Sequence, residues 1–214
     1  DYYLKKVLAE TKLLYGVGNP EQWTAMLSPG DYRSLTDRVE LDFAPTVERF
    51  YKPGQKVTVE LDVKNVKTLI RKIYRINSLK YYQEMGEPVP LSLDLDGLVA
   101  NEQESFTYDE APLRRVRRTF ELPQLDARGV YVVEFIGAGK RSRALVQKGR
   151  LTYVVKTTPA GQEFTVLDED NKPLPAGRIW MAGRYYNAAS DGTITLPFST
   201  SPGNQKIVLV SGDF

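Results

Sequence analysis

Hydrophobic and polar residues alternate along much of the chain after residue 37. Val39, Leu41 and Phe43 are separated by polar residues, and Val57–Val63 repeats this spacing after Pro53-Gly54. Successive side chains of a strand point to opposite faces, so a period of two indicates strands that bury one face. Proline fixes φ and glycine tolerates positive φ, which suits Pro53-Gly54 to a turn. The number and spacing of such segments predict an antiparallel β-sandwich of about seven strands.

The stretch from residue 120 to residue 155 organises the rest of this pattern. It contains three strand-like runs, Val130–Ile136, Ser142–Gln147 and Leu151–Val155. Two short links join them, Gly137–Lys140 and Lys148–Arg150. Glycines in the first link allow a sharp reversal of the chain. We interpret the first two runs as the closing hairpin of one sandwich, and the third run as the first strand of a second sandwich.

The segment Thr68–Asn77 fits two periods. Leu69, Ile73 and Ile76 recur at helical spacing, whereas Tyr74 and Ile76 belong to a period of two. Its β-branched and aromatic residues, and the strands predicted on either side, favour a strand.

Residues 149–214 predict a second, smaller sandwich. Its strand-like runs are Glu163–Leu167, Gly177–Met181, Tyr185–Asn187, Thr193–Leu196 and Lys206–Val210. The loops between them are rich in Gly, Pro, Asn and Asp, and the last loop is Ser199–Asn204. Asp191-Gly192 predicts a type I′ hairpin turn, in which both central residues need positive φ. A unit of this size is expected to share part of its core with its neighbour.

Residues 1–36 lack the period of two and predict helices. Apolar residues recur at roughly helical spacing over Leu4–Tyr15, up to Gly16. Asn19 followed by Pro20 predicts the N-cap and first position of a second helix, which Ser28–Gly30 is expected to end. This segment is either a brace on the first sandwich or the tail of an upstream domain, and we favour the brace. The predicted organisation is a helical segment over 1–36, a sandwich over 37–148 and a smaller sandwich over 149–214.

Composition excludes several classes of function. The 214 residues include 29 basic and 27 acidic side chains, no histidine and no cysteine. The balanced charge provides no field to attract nucleic acid or an anionic membrane. The chain has neither the commonest general base nor a thiol nucleophile, and no disulfide can form. No apolar run approaches the roughly 20 residues of a membrane span. We therefore expect no enzymatic activity, no cofactor, no nucleic-acid partner and no membrane span.

Several stretches resemble a known family. Phe120–Leu125, Gly129–Glu134 and Arg143–Val146 resemble the closing strands of a macroglobulin-like domain of bacterial α2-macroglobulin-like proteins. Phe164–Gly177 and Asp191–Pro197 resemble the next domain of that series, and are also similar to carboxypeptidase-regulatory or transthyretin-like sandwiches. The resemblance covers about residues 37–214 and implies two tandem antiparallel, immunoglobulin-like β-sandwiches. It does not explain the short helical N-terminus over 1–36, which the residue pattern alone predicts.

The resemblance also implies a structural, non-enzymatic role. In that family such domains stack into a shell, which in some members surrounds a protease-trapping machine built on a Cys-x-Glu-Gln thioester. This sequence contains no cysteine, so the thioester is not in this chain. The implied partners are neighbouring domains of the parent chain and other proteins such as proteases. The resemblance alone favours a secreted, periplasmic or cell-surface location. Because the chain opens on Asp-Tyr-Tyr without methionine, we expect a fragment of a larger multidomain protein.

Four arginines form the one basic cluster of the sequence and are candidate partner-binding residues: Arg114, Arg115, Arg117 and Arg118. On a strand, Arg115 and Arg117 share one face, whereas Arg114 and Arg118 share the other. The alternatives are a solvated strand or inter-domain ion pairs, a contact with a protein partner, and a nucleic-acid site. The last usually needs a wider basic surface with stacking rings.

Aromatic residues offer an alternative function. Trp180, Tyr185 and Tyr186 are candidates for stacking on a glycan, which would make the chain a carbohydrate-binding or adhesin-type module. Tyrosine is also a common strand residue with a polar tip. The segment Ser92–Gln103 has two aspartates at the spacing of a calcium loop, but glutamine replaces the bidentate glutamate, so we expect no metal site there.

Overall fold

The computed structural model describes residues 1–200 and 203–214. Over these residues the chain forms four helices: α1 (Tyr2–Tyr15), α2 (Pro20–Thr24), α3 (Pro29–Asp37) and α4 (Ser78–Met85). It also forms fourteen strands: β1 (Glu40–Phe43), β2 (Phe50–Tyr51), β3 (Thr58–Lys64), β4 (Thr68–Ile76), β5 (Glu102–Thr107), β6 (Arg115–Glu121), β7 (Gly129–Gly137), β8 (Lys140–Lys148), β9 (Thr152–Thr158), β10 (Gly161–Leu167), β11 (Arg178–Met181), β12 (Arg184–Asn187), β13 (Ile194–Leu196) and β14 (Val208–Val210).

Strands β1 to β8 form two sheets that pack face to face. One sheet has the order β1-β3-β6 and the other has the order β2-β8-β7-β4-β5. The prediction of a β-sandwich is confirmed, with eight strands in place of about seven. One pair departs from the antiparallel prediction: β2 pairs with β8 in parallel over two residues. β2 reaches the sheet edge through a loop rather than through a hairpin, and so its direction is not tied to that of β8.

The core between these sheets is built on the alternating positions. Val59 and Leu61 of β3 are fully buried and face the second sheet, as the period of two predicts. Phe135 lies at the centre, with its ring centroid 5.6 Å from that of Phe43 and 4.7 Å from that of Phe120. Aromatic pairs at these distances contribute beyond the area that they bury.

Strand β7 is buried on both faces. Tyr74, Val130, Val132 and Leu145 form its outer apolar layer with β4 and β8, and Val89 of the loop after α4 packs onto that layer. This double burial explains why Val130–Ile136 reads as a continuous apolar run rather than an alternating one.

Two local predictions in this unit are confirmed. Thr68–Asn77 is a strand: β4 pairs antiparallel with both β5 and β7. The link between β7 and β8 is a two-residue turn at Ala138 and Gly139, with φ of 47° and 77°. Positive φ at both positions is what a type I′ turn requires.

The helical segment has one helix more than the sequence predicts. Asn19 caps α2 as expected, its side chain accepting a hydrogen bond from the Glu21 N–H at 2.9 Å. The expectation that Ser28–Gly30 only ends a helix is wrong. Ser28 Oγ accepts from the Asp31 N–H at 3.1 Å and starts α3, with Pro29 in the first turn. Ser-Pro thus plays the same capping role as Asn-Pro.

The last part of the chain forms two three-stranded sheets, β13-β10-β9 and β12-β11-β14, around a core that includes Phe164 and Ile179. The five predicted strand-like runs all contain strands. The predicted type I′ hairpin at Asp191-Gly192 is wrong. Only Gly192 has positive φ, and the flanking strands β12 and β13 belong to different sheets. The predicted loop Ser199–Asn204 includes residues 201 and 202, which lie outside the described residues.

Candidate interaction surfaces

Two of the candidate arginines bind one carboxylate within the first sandwich. Arg117 donates two hydrogen bonds to Asp62 at 2.9 and 3.0 Å, and Arg115 donates another at 3.0 Å. They share a face of β6, as predicted. The hydrogen bond from Arg117, together with the charge of Arg115, lowers the pKa of Asp62, against the effect of burial. Arg115 also lies 3.3 Å from a carboxylate oxygen of Glu40.

The other two arginines also pack inside the chain. The guanidinium of Arg118 lies 3.5 Å from the ring centroid of Tyr108 and pairs with Glu110. The guanidinium of Arg114 occupies the space where a Cβ on Gly16 would stand, at the end of α1. Gly16 has φ of 62°, a left-handed conformation that glycine adopts without strain, and the absence of a Cβ leaves room for Arg114. The cluster therefore holds β6 to β3 and α1, with ion pairs inside the first sandwich rather than the inter-domain pairs considered from the sequence.

The three candidate glycan-stacking residues do not form one platform. Tyr185 lies opposite Trp180 in the β11–β12 pair, whereas Tyr186 lies opposite Ile179 and packs on the core. The ring of Tyr185 is covered by Arg178 at 4.9 Å, and its hydroxyl accepts a hydrogen bond from Gln83 at 2.9 Å. Neighbours on a strand face opposite sides, so no single ligand face can use all three rings.

Helix α1 is held by its inner face. Ala9 and Leu13 are buried, and the cluster that contains Leu13 also includes Leu35 of α3 and Trp23 of α2. Gly16 ends the helix with a hydrogen bond from its N–H to the Leu13 carbonyl at 3.2 Å.

The carboxylate of Asp31 in α3 holds α1 against α3. Asp31 accepts hydrogen bonds from Lys6 at 2.5 Å, from the Tyr2 hydroxyl at 2.5 Å and from Ser28 Oγ at 2.6 Å. The hydrogen bonds from Lys6, Ser28 and Tyr2 hold the pKa of Asp31 well below its ordinary value. The polar network fixes the rotation of α1 and so decides which of its faces points outward.

The outward face of α1 is apolar. Leu4, Val7, Leu8 and Tyr15 are exposed, the two leucines by 65% and 47%, and Thr11 completes the row. Spacings of three and four residues place these side chains on one face, which we call the outer face of α1. Of the apolar residues of α1, Ala9, Leu13 and Leu14 take the core positions, whereas Leu4 and Leu8 face outward.

Two lysines border the outer face of α1. Lys5 and Lys12 form no ion pair with an acidic side chain among the described residues. Lys12 in the last turn also interacts favourably with the helix dipole. The sequence signal for this surface was the excess of apolar residues around the whole helix, more than one buried face can accept.

The two sandwiches meet at a partly buried ion pair. Arg128 donates to both carboxylate oxygens of Glu169, at 2.9 and 2.8 Å, and the Arg150 N–H donates to the same group at 2.9 Å. A Cβ on Gly149 would lie 2.8 Å from both side chains, and Gly149 has φ of 90°. Sequence reasoning missed this site, because Arg128 and Glu169 lie 41 residues apart.

The described part of the chain has neither a metal-binding cluster nor a membrane-spanning helix. No group of three or more acidic side chains there could hold a metal ion. Asp94 in the segment Ser92–Gln103 accepts a hydrogen bond from the Asp96 N–H at 2.9 Å, closing a local turn. No described helix is both long and apolar enough to cross a membrane.

Sequence comparisons relate the chain to an actin-binding protein. Residues 69–149 match the family "AbpF first immunoglobulin-like domain", and residues 1–39 match the family "Actin-binding protein F N-terminal domain". Over 212 residues the chain is 38% identical to Actin-binding protein F of Dictyostelium discoideum, covering 98% of this chain and 9% of that protein. The chain thus spans less than a tenth of that relative's length.

Two further matches are weaker. The chain is 28% identical over 105 residues to a protein of Autographa californica nuclear polyhedrosis virus named as a bifunctional polynucleotide kinase/RNA ligase, covering 48% of this chain and 15% of that protein. The solved structure of native alpha-2-macroglobulin from Escherichia coli, spanning domains MG0-NIE-MG1, aligns at 15% identity with a TM-score of 0.45, covering 82% of this chain and 64% of that chain. The observed sheets and the match over residues 69–149 show a mainly β chain of immunoglobulin-like sandwiches behind a short helical segment.

Proposed function

We propose that this chain is a non-enzymatic protein-binding segment of an actin-associated protein, and that it docks on actin filaments through the outer face of α1. The observation that carries the proposal is this exposed apolar helix face, with Leu4 at 65% and Leu8 at 47% exposure. It lies within residues 1–39, which resemble the N-terminal domain of Actin-binding protein F. An amphipathic helix that lays its apolar face into a groove is a common mode of protein recognition.

Charge sets a requirement on the partner. Lys5 and Lys12 place positive charge along one side of the outer face of α1. The docking site should therefore carry acidic side chains beside its apolar groove, since complementary charge speeds encounter and favours the correct partner. Binding through this face is therefore expected to weaken as salt concentration rises.

The domain organisation is part of the proposal. We infer a helical brace over 1–36, a sandwich over 37–148 and a smaller sandwich over 149–214. In this arrangement the sandwiches are a scaffold, and Asp31 presents the outer face of α1 by fixing the helix against α3. The viral match covers 15% of that protein and supports no catalytic role here.

Co-sedimentation with filamentous actin tests the proposal. The 214-residue chain should pellet with filaments, and the double variant Leu4→Gln/Leu8→Gln should bind at least about tenfold more weakly, because two exposed leucines contribute about 1 kcal/mol or more each when buried. Glutamine and leucine have similar helix propensities, so α1 should still form, as circular dichroism can verify.

A matched control separates two kinds of failure. Val99→Gln changes another exposed apolar side chain, at 91% exposure, and should leave actin binding unchanged. If the unaltered chain does not pellet, the actin proposal fails. If it pellets equally well with the double variant, actin binding stands and the outer face of α1 is not the site.

The alternatives make different predictions. A segment of an α2-macroglobulin-like shell would bind proteases or neighbouring domains and not actin; its support is the resemblance of Phe120–Val146, which leaves the helical segment unexplained. A glycan-binding module would rely on Trp180. Of the three candidate rings, Tyr186 packs on the core of the second sandwich and Tyr185 is covered by Arg178, which leaves Trp180. Quenching of Trp180 fluorescence by a polysaccharide would support it.

A further inference from the structure

An apolar groove lies where the two sandwiches meet. It has a volume of about 410 Å³. Val130 of β7 and Leu145 of β8 line it from the first sandwich, together with Leu79 of α4, and Leu209 of β14 lines it from the second. Mainly apolar pockets of about 300–1,000 Å³, often at domain interfaces, are the usual sites of small ligands.

Strand β8 gives the groove a gradient of polarity. Side chains alternate along this strand, so Val146 enters the core of the first sandwich while Leu145 and Gln147 line the groove. Arg150 lines it just beyond the end of the strand. The lining therefore changes along β8 from an aliphatic side chain to an amide and then to a cation.

A second arginine lies at the same end of the groove. The Arg49 carbonyl accepts a hydrogen bond from the Gln147 N–H at 2.8 Å, which places Arg49 beside the polar end of β8. Both Arg49 and Arg150 are exposed, and both line the groove.

These two arginines lack an acidic partner within the described part of the chain. Glu169, which accepts the Arg150 N–H, has its carboxylate oxygens paired with Arg128. The Arg49 guanidinium lies 5.7 Å from the ring centroid of Phe50. None of the described residues that line the groove is acidic. The groove is thus apolar over most of its lining and cationic at one end.

We propose that this groove binds a fatty-acid carboxylate, with its apolar chain between the two sandwiches and its head group at Arg49 and Arg150. The planar guanidinium presents donors in a fork that matches the two oxygens of a carboxylate. An apolar chain removes the aliphatic lining from water, which gives the affinity, and the arginines fix the direction of the ligand. This site is separate from the outer face of α1, and it does not depend on binding to actin.

Titration of the 214-residue chain with dodecanoate, below its micelle concentration, tests the proposal. In NMR spectra the methyl signals of Leu79, Leu145 and Leu209 should shift together, whereas those of Val59 in the first core should not. Decanoate should bind at least about tenfold more weakly, because each buried methylene contributes about fourfold in affinity. Dodecanol, which keeps the chain and lacks the charge, should also bind at least tenfold more weakly than dodecanoate.

Substitution of the arginines tests the head-group site. The double variant Arg49→Gln/Arg150→Gln should lose at least tenfold in affinity for dodecanoate and keep its affinity for dodecanol. Arg141→Gln is the matched control, because Arg141 is an exposed arginine of β8 that does not line the groove. It should bind dodecanoate as the parent does.

Three results would overturn the proposal. One is equal binding of dodecanoate and dodecanol, since the arginines would then select no anion. Another is a double variant that binds dodecanoate as tightly as the parent. The third is a set of shifts confined to Leu4 and Leu8, because the ligand would then cover the outer face of α1 and leave the groove empty.

Discussion

Replacing Lys64 by methionine should lower the free energy of unfolding by about 3 kcal/mol, because two charge-assisted hydrogen bonds disappear and two buried carbonyls lose their partner. Lys64 is 1% exposed, and its ammonium donates to the carbonyls of Leu35 at 2.5 Å and Arg38 at 2.7 Å. Burial lowers the pKa of Lys64, because desolvation disfavours the charged ammonium. Methionine keeps the length of the stem, so the variant isolates the ammonium.

The helical segment should loosen first in this variant. Asn65, in the next position, donates to the carbonyls of Thr36 and Asp37 at 3.1 and 3.4 Å. Together the two side chains bind the carbonyls of residues 35–38, the group that a helix leaves unpaired at its C-terminus. Without Lys64, amides over residues 29–38 should exchange faster than those of β7.

Trp23 reports on this region, since it packs in the same cluster as Leu35. The chain has two tryptophans, so the measurement is best made in a Trp180→Phe background, by urea unfolding followed through Trp23 fluorescence. Lys56→Met is the control, because Lys56 is exposed and makes no ion pair among the described residues. A Lys64→Met variant within 0.5 kcal/mol of the parent would contradict the capping role of Lys64.

Local signals predicted local structure well. The alternation of Val57–Val63, the Ala138-Gly139 turn and the Asn19 cap each depend on residues close in sequence, and each was found where expected. The segment Thr68–Asn77 fitted both a helix and a strand, and its β-branched residues correctly favoured the strand. These features are set by backbone sterics and side-chain direction, which act over a few residues.

Features that depend on distant partners could not be predicted in this way. Lys64 occupies a polar position in an alternating strand, and nothing nearby indicates that α3 receives its ammonium. The arginine cluster left ion pairs and a partner contact open, and the sequence did not identify its carboxylate, because Asp62 comes from another strand 53 to 55 residues away. The sequence did not indicate which face of α1 points inward, because both faces are apolar, and Asp31 of another helix decides between them.

Loss of the Glu169 carboxylate charge should uncouple the two sandwiches, with an effect that depends on pH. The hydrogen bonds from Arg128 lower the pKa of Glu169 to about 2, from the usual value near 4.5. The side chain of Glu169 is 8% exposed, so solvent screens this interaction little. A lowered carboxyl pKa means that the unfolded chain binds more protons between these pH values. Its contribution is therefore complete above pH 4.5 and is lost as pH falls towards 2.

Glu169→Gln should thus be less stable than the parent by about 2–3 kcal/mol at pH 7, a value taken from the size of the pKa change. At pH 2 most of this difference should vanish, since the Glu169 carboxyl is then protonated in the unfolded parent and about half protonated in the folded parent, so that its charge adds little to stability. The measurement is guanidinium unfolding at both pH values in a Trp23→Phe background, so that Trp180 of β11 reports on the second sandwich.

Asp170→Asn is the matched control for this pair of measurements. Asp170 is adjacent in sequence and also pairs with a cation of the first sandwich, Lys52, at 3.1 Å, but its side chain is 62% exposed. An exposed ion pair contributes about 0–1 kcal/mol, so this variant should remain close to the parent at pH 7. If Glu169→Gln shows the same small effect, or if its deficit persists unchanged at pH 2, the ion pair does not couple the sandwiches through its charge. The contact would then act through packing around Gly149, where any side chain larger than glycine meets Arg128 and Glu169 at 2.8 Å.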